Sequence, residues 1–391
     1  MKSRDRVLKA IWHEEPDRVP MIEPYGIHAP TADLVLGRRC VATHPLRTVQ
    51  LRAEGRIPEL RRAIVNDSYE LVKKLGYDGG GIAFLPTERD ERPKMLGPNK
   101  WAEGSSVFVL AEKTGIPFEV DSEIRRRGLT AFEEYVKGLE SEGRDERTSE
   151  LARRLQDYEE NLGRLWKGLG VLVYSGINGT AMPTLTTSWL PLYLTWFYVK
   201  PVLVKRYLQQ MTLRNVEWIE LTADFGAELF YAGGDIASNQ GPFISPAHYR
   251  EFQLPMIRAV SEAAHKRNAY LFTSSDGNLW PIAEDFLVNS EVDGYMEIQV
   301  TAGMCLSKLK EKLGDRLCLN GSVDAQHTLV HGSAGQVKAE TRKVIETLSP
   351  GGGHILSTSN SVHPGVKPEN FFAMLETASE YGQYAHGRED A

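Results

Sequence analysis

Three cysteines in 391 residues, Cys40, Cys305 and Cys318, are too few and too scattered for a disulfide framework. None stands in a Cys-x-x-Cys pair or at Cys/His metal spacing, which argues against a structural zinc knuckle and fits a reducing cytoplasm. Excess positive charge is missing as well. The net charge is −6 at pH 7, so nothing general draws the chain to nucleic acid or to an anionic membrane. No uncharged apolar run approaches the roughly 18 residues of a membrane span. The nearest, SWLPLYLTWFYV at 188–199, reads as a buried or pocket-lining segment. The opening MKSRDRVLKAIWHEEPDRVP is charged throughout and has no apolar signal-peptide core. Cytoplasmic residence is the expectation. Familiar chemical motifs are absent too: there is no GxSxG elbow and no HExxH, and no GxGxxG or GxxxxGK[ST] follows the first apolar run.

What is present is a rhythm. Eight short runs rich in β-branched and aromatic residues recur: VPMIEPYG (19–26), YDGGGIAF (77–84), GVLVYSGING (170–179), ELFYAGGD (228–235), AYLFTSSDG (269–277), DGYMEIQ (293–299), RLCLNGSVD (316–324) and HILSTSN (354–360). Most are continuously apolar and then turn abruptly polar or glycine-rich, as strands buried on both faces of a parallel sheet do. Helical patterns separate them. Residues 58–76 carry apolar residues at helical spacing and close on Gly76; 245–268 opens on Ser245 and Pro246; 333–353 ends on proline and glycine; 367–385 comes last. Alternation repeated eight times predicts an α/β fold, a (β/α)8 barrel with an N-terminal extension, as one domain over 1–391. An open doubly wound sheet is the second choice. The rhythm breaks over 85–168, where a hairpin, KWAEGSSVFVLAEKTGIPFEV, and charged helices read as an insertion after the second strand or as an ordinary surface subdomain.

Barrel active sites lie at the C-terminal ends of the strands. That rule gathers Glu23, Tyr25 and His28; Asn178; Asp235; Ser274, Ser275 and Asp276; Glu297 and Gln299; Asn320 and Asp324; and Ser359, Asn360 and His363. Glu297 and Glu23 are charges inside apolar strands, so each needs a partner, a metal or a shifted pKa. Asp235 follows a Gly-Gly pair that lets backbone approach a ligand. Asp276 and Asp324 have a second reading as helix caps. Asn360 and His363 have one as parts of a turn before Pro364 and Gly365.

SRDRVLKAIWHEEPDRVP, GPFISPAHYREFQLP, LNGSVD and ILSTSNSVHPGVKPENFFAM together resemble the uroporphyrinogen decarboxylase superfamily, in order and over nearly the whole chain. The resemblance implies one (β/α)8 barrel and either of two chemistries. Heme-pathway decarboxylases carry an arginine-rich RQAGRY-like segment after the first strand. Here that stretch reads MIEPYGIHAPTADLVLGRR, and Glu23 would repel a polycarboxylate. The other branch holds cobalamin-linked methyltransferases, which exchange methyl groups with a corrinoid on a partner protein. Relatives that act on thiols bind zinc through His-x-Cys after the fifth strand and Cys after the eighth. Ser274, Asp276 and Asn360 stand at those positions, so thiol activation by zinc is not expected and no metal ligand is assigned. The resemblance therefore implies methyl transfer from a small donor, such as a methoxylated aromatic, to a corrinoid protein. Asp276 and Glu297 are the expected acids. Glu23, Tyr25, His28, Asn178, Asp235, Ser274, Ser275, Asn360 and His363 are the expected substrate contacts. Trp189, Tyr193 and Trp196 either line the pocket, receive the partner or pack the barrel. A decarboxylase on another acid, or a non-catalytic relative, is the alternative, and a homodimer is the default assembly.

Overall fold

Seven strands pair in parallel, in the order Gly79–Gly81, Leu172–Asn178, Leu229–Gly233, Tyr270–Ser274, Gly294–Met296, Cys318–Asn320 and His354–Ile355. In this computed structural model residues 1–111 and 113–384 are described. Glu112, inside the predicted hairpin, and Ala385, the end of the predicted last helix, lie outside them. Strands Leu229–Gly233, Tyr270–Ser274, Gly294–Met296 and Cys318–Asn320 are buried along almost their whole length, which accounts for their continuous apolarity, while Leu172–Asn178 becomes exposed towards its C-terminal end.

The first predicted strand, 19–26, forms no ladder. Within it only Met21 makes an isolated parallel bridge, to Leu356, and Ile27, just past its end, makes another to Val362. Pro20 and Pro24 supply no amide hydrogen, so an extended ladder cannot form there. The few bonds that do form are decisive for topology. Leu356 N donates to Pro20 O at 2.8 Å, Ile22 N to Leu356 O at 3.3 Å and Asp78 N to Met21 O at 2.9 Å. Residues 20–22 are thus bonded to both outer strands of the sheet and close it into a barrel, which rules out the open alternative.

Helices cover the barrel. Ile57–Leu75 ends where Gly76 takes φ +65°, a left-handed cap that glycine adopts without strain. Ala334–Leu348 starts with a reciprocal capping box between Ser333 and Gln336. The helix expected over 245–268 is interrupted by a π turn at Tyr249–Gln253 before Leu254–Lys266. Pro255 explains the break, since it has no amide hydrogen for the preceding turn. The predicted hairpin is instead a four-stranded antiparallel sheet, Lys94–Gly97, Lys100–Glu103, Ser106–Ala111 and Ile116–Asp121. Its first strand, KMLG, has almost no β-branched or aromatic signal, which is why composition misses it. Helices from Glu123 to Leu169 then lead back to the barrel. The sheet reaches the rim of the barrel: Glu119 N bonds Thr186 O at 2.9 Å, and Gly115 packs against Pro364.

At the opposite end the N-terminal helix Ser3–Ile11 underpins the strands. Buried Asp78 accepts from Arg6 Nη1 at 2.7 Å, from Arg18 Nη1 at 2.9 Å and from Met21 N at 2.9 Å. Asp17 accepts two more bonds from Arg6, at 2.6 and 2.7 Å.

Candidate active site

Strand Tyr270–Ser274 runs out into Ser275 and Asp276, and strand Gly294–Met296 into Glu297. Glu297 has φ +58°, a left-handed backbone that costs a non-glycine residue energy and that clusters at functional sites. Its side chain is almost wholly buried. Asn360, 84 residues beyond Asp276, joins the two acids. Its amide nitrogen donates to Asp276 Oδ2 at 2.9 Å and to Glu297 Oε1 at 3.2 Å. Its Oδ1 accepts Ser361 N at 2.7 Å, which fixes the orientation of the amide. Tyr25 OH donates to Glu297 Oε2 at 3.3 Å and lies 2.7 Å from Ser274 Oγ. Asp235 Oδ1 accepts Asp276 N at 3.1 Å.

The electrostatics follow from burial and from what is missing. Among the described residues no lysine or arginine forms an ion pair with Glu23, Asp235, Asp276 or Glu297, and none figures among the charges acting on them. Burial, then the charge of Asp235, pushes Asp276 up to about 7 against the Asn360 bond. Burial, then Asp276 and Asp235, lifts Glu297 well above the usual carboxylate range. Asp235 is raised by burial, and Glu23 is pushed up to about 8 by burial against its bonds to Thr358. Near neutral pH the Asp276–Glu297 pair therefore retains at least one proton.

A cavity of about 520 Å³ opens beside the pair, walled by Tyr25, Tyr174, Tyr231, Asn178, Asp235 and Glu297. Tyr174 and Tyr231 meet edge to face at 5.4 Å. They sit inside predicted strands, and an aromatic residue in a strand that ends polar is the signal that could have marked them. Tyr231 OH also donates to Asn320 Oδ1 at 3.0 Å.

Not every expected residue faces this cavity. Ser275 Oγ accepts Ile236 N at 3.1 Å and donates to Asp276 O at 2.7 Å, so it builds the loop. Asn178 lines the cavity, while its Oδ1 holds Ala181 N at 2.9 Å. His28 Nδ1 bonds Thr43 O at 2.7 Å, and burial lowers its pKa. His363 is used on both nitrogens, by Ala325 O at 3.0 Å and Gly365 N at 3.0 Å. Glu23 Oε2 accepts from Thr358 N at 3.1 Å and lies 2.9 Å from Thr358 Oγ1. Asp324 closes the turn ahead of the helix Thr328–His331, accepting Gln326 N at 2.6 Å and His327 N at 3.0 Å; the helix itself has no side-chain cap. Asp276 caps no helix: Asn278 Oδ1 accepts the Trp280 amide at 3.2 Å, and only a short 3₁₀ turn, Trp280–Ile282, follows. Trp189, Tyr193 and Trp196 pack around Phe132, Trp196 stacked, Tyr193 edge-on and Trp189 tilted, rather than line the cavity.

Among the described residues no group of three or more His, Cys, Asp or Glu side chains is placed to hold a metal ion. Ser274, Asp276 and Asn360 offer neither thiolate nor imidazole, and the Asn360 amide bridges the acids where a cation would otherwise do so. The donor set does not fit a thiol-activating zinc. No helix among the described residues is long and apolar enough to cross a membrane.

Similar proteins agree with this architecture. The methyltransferase from Methanosarcina mazei superposes with a TM-score of 0.64 at 18% identity, covering 97% of this chain and 99% of that one, so it shares the fold. The uroporphyrinogen decarboxylase of Thioalkalivibrio sulfidiphilus is 26% identical over 151 residues, 36% of this chain and 40% of the relative. That of Chlorobium phaeovibrioides is 27% identical over 173 residues, 42% and 47% respectively. This chain thus spans about half the length of the curated relatives it matches or less. Residues 186–381 match the family described as Uroporphyrinogen decarboxylase (URO-D), which is half of the chain, and the chain belongs to that family.

Proposed function

We propose that the protein is a methyltransferase that takes a methyl group from a small uncharged donor, of the methoxylated-aromatic kind, and passes it to a corrinoid on a separate protein. The observation that carries this reading is the Asp276–Asn360–Glu297 unit, two buried acids joined by one amide beside an aromatic-walled cavity, whose pKa values are raised by burial and by neighbouring carboxylates. Breaking a methyl ether needs a nucleophile for the carbon, which the reduced corrinoid supplies, and a proton for the oxygen. The C–O electron pair stays on the departing oxygen, and Asp276 or Glu297 protonates it, giving a phenol. A positioned acid of this kind contributes about 10²–10⁴-fold. Tyr174 and Tyr231, in the cavity wall, would supply aromatic contact to the donor.

The same charge pattern weighs against a polycarboxylate. Such a substrate would meet Asp235 and Glu297 in the cavity wall, with Asp276 beside them, and among the described residues no guanidinium pairs with these acids to neutralise it. The curated relatives' name, uroporphyrinogen decarboxylase, is what favours decarboxylation. The test mixes the protein anaerobically with a reduced corrinoid protein and a panel of methoxylated aromatics, and follows the methyl-corrinoid absorbance. Growth of that spectrum with an uncharged donor is expected. No growth with any donor, together with carbon dioxide release from a carboxylated substrate, would overturn the reading.

A further inference from the structure

Thr358 has one hydroxyl hydrogen and two oxygens within reach of it. Glu23 Oε2 lies 2.9 Å away, and the backbone carbonyl of Asn360 is bonded on the other side. A carbonyl oxygen never donates. If Glu23 were ionised, the single hydrogen would serve one oxygen and leave the other in a bare oxygen–oxygen contact. Both contacts are satisfied only when Glu23 brings a hydrogen of its own. Its surroundings agree: Glu23 and Thr358 are buried, the groups facing Glu23 are the phenols of Tyr77, Tyr174 and Tyr231, and no cation is among them.

We propose that Glu23 is a neutral carboxylic acid whose hydrogen, relayed through the Thr358 hydroxyl, holds the Asn360 carbonyl and so positions the amide that joins Asp276 to Glu297. Glu23 is thus a positioning residue for the pair, one step behind it. In this relay the protonated Glu23 donates across the 2.9 Å contact to Thr358 Oγ1, Thr358 donates to the Asn360 carbonyl, and Asn360 Nδ2 donates to both acids. Burial lifts the Glu23 pKa to about 8, so the relay is set below that pH. Above it the carboxylate claims the Thr358 hydrogen, the Asn360 carbonyl loses its donor, and the bridge loosens.

The inference goes beyond methyl transfer and is tested without substrate, so its failure and that of the proposed function are separable. Infrared spectra of the full chain are titrated from neutral to alkaline pH. A protonated-carboxyl band absent from Glu23→Gln should be present in the wild type at neutral pH and vanish as pH passes about 8. Thr358→Val should move the Asp276 titration to higher pH, because the loosened Asn360 bond no longer favours its charged form, and Thr358→Ser should restore it. Should Glu23→Gln fail to fold, the two Thr358 variants decide the matter. No Glu23 band at neutral pH, or an Asp276 titration indifferent to Thr358→Val, would overturn the proposal.

Discussion

Two groups of carboxylates sit at opposite ends of this barrel, and they are held in opposite ways. At the N-terminal end, Asp78 and Asp17 are gripped by Arg6 and Arg18. At the C-terminal end, Glu23, Asp235, Asp276 and Glu297 touch amides, hydroxyls and one another. Against the opposing effect of burial, the Arg6 guanidinium, the Arg18 backbone amide and the N-terminal amine hold Asp17 below the usual carboxylate range. The unpaired acids are driven upward instead. A paired carboxylate is a fastener. An unpaired buried one is a proton store, and proteins retain such a cost where chemistry uses it.

The largest test of this contrast concerns rate. Asp276→Asn or Glu297→Gln should lower methyl transfer by about 10²–10⁴-fold in single-turnover assays, with folding stability unchanged or raised. Full activity in both variants would remove the acids from the mechanism. Next comes stability at the other end. Asp78→Asn leaves two arginines facing a neutral group at a buried site, and should cost about 3–5 kcal/mol in urea unfolding while leaving residual substrate affinity intact. An equal cost from Glu297→Gln would erase the distinction between the two groups.

The pH dependence separates the ends further. Glu23 and Asp276, near 8 and 7, hold protons in the fold that the unfolded chain releases above about pH 4. Their contribution is therefore fully present below that range and is lost as pH rises through 7 and 8. Asp17 has the opposite sign: its contribution is present above the normal carboxylate range and is lost as pH falls through its depressed pKa. Thermal melts should show the alkaline loss flatten in a Glu23→Gln/Asp276→Asn double variant and the acid loss persist. The smallest effect belongs to Asp235→Asn, which removes one charge and should move the Asp276 titration to lower pH, read by infrared titration.

Much of this architecture was readable without coordinates. Strands such as ELFYAGGD and AYLFTSSDG announce themselves because burial on both faces demands unbroken apolarity. Glu297 stands out for the same reason, as a charge where none belongs. What escaped depends on long-range geometry. Nothing local says that Asn360 bridges two acids 84 and 63 residues away, or that His28 and His363 spend their nitrogens on nearby backbone. The polar strand ending TSSD looked uniform, yet Ser274 meets Tyr25, Ser275 supports the loop and only Asp276 joins the acid pair. Thr358 gave no signal at all, because a threonine in a strand is ordinary.

The closure of the barrel at Pro20–Ile22 is its thinnest joint. Neighbouring barrel strands share two to five paired residues, whereas the joint rests on the Met21–Leu356 bridge and a few lone bonds. Local breathing costs least where so few contacts must part. Deuterium should enter the amides of Ile22 and Leu356 ahead of those in strand Tyr270–Ser274. Glu23 and Thr358 lie one and two residues from that seam, so the hydrogen they share is also the one that water reaches first when the barrel opens.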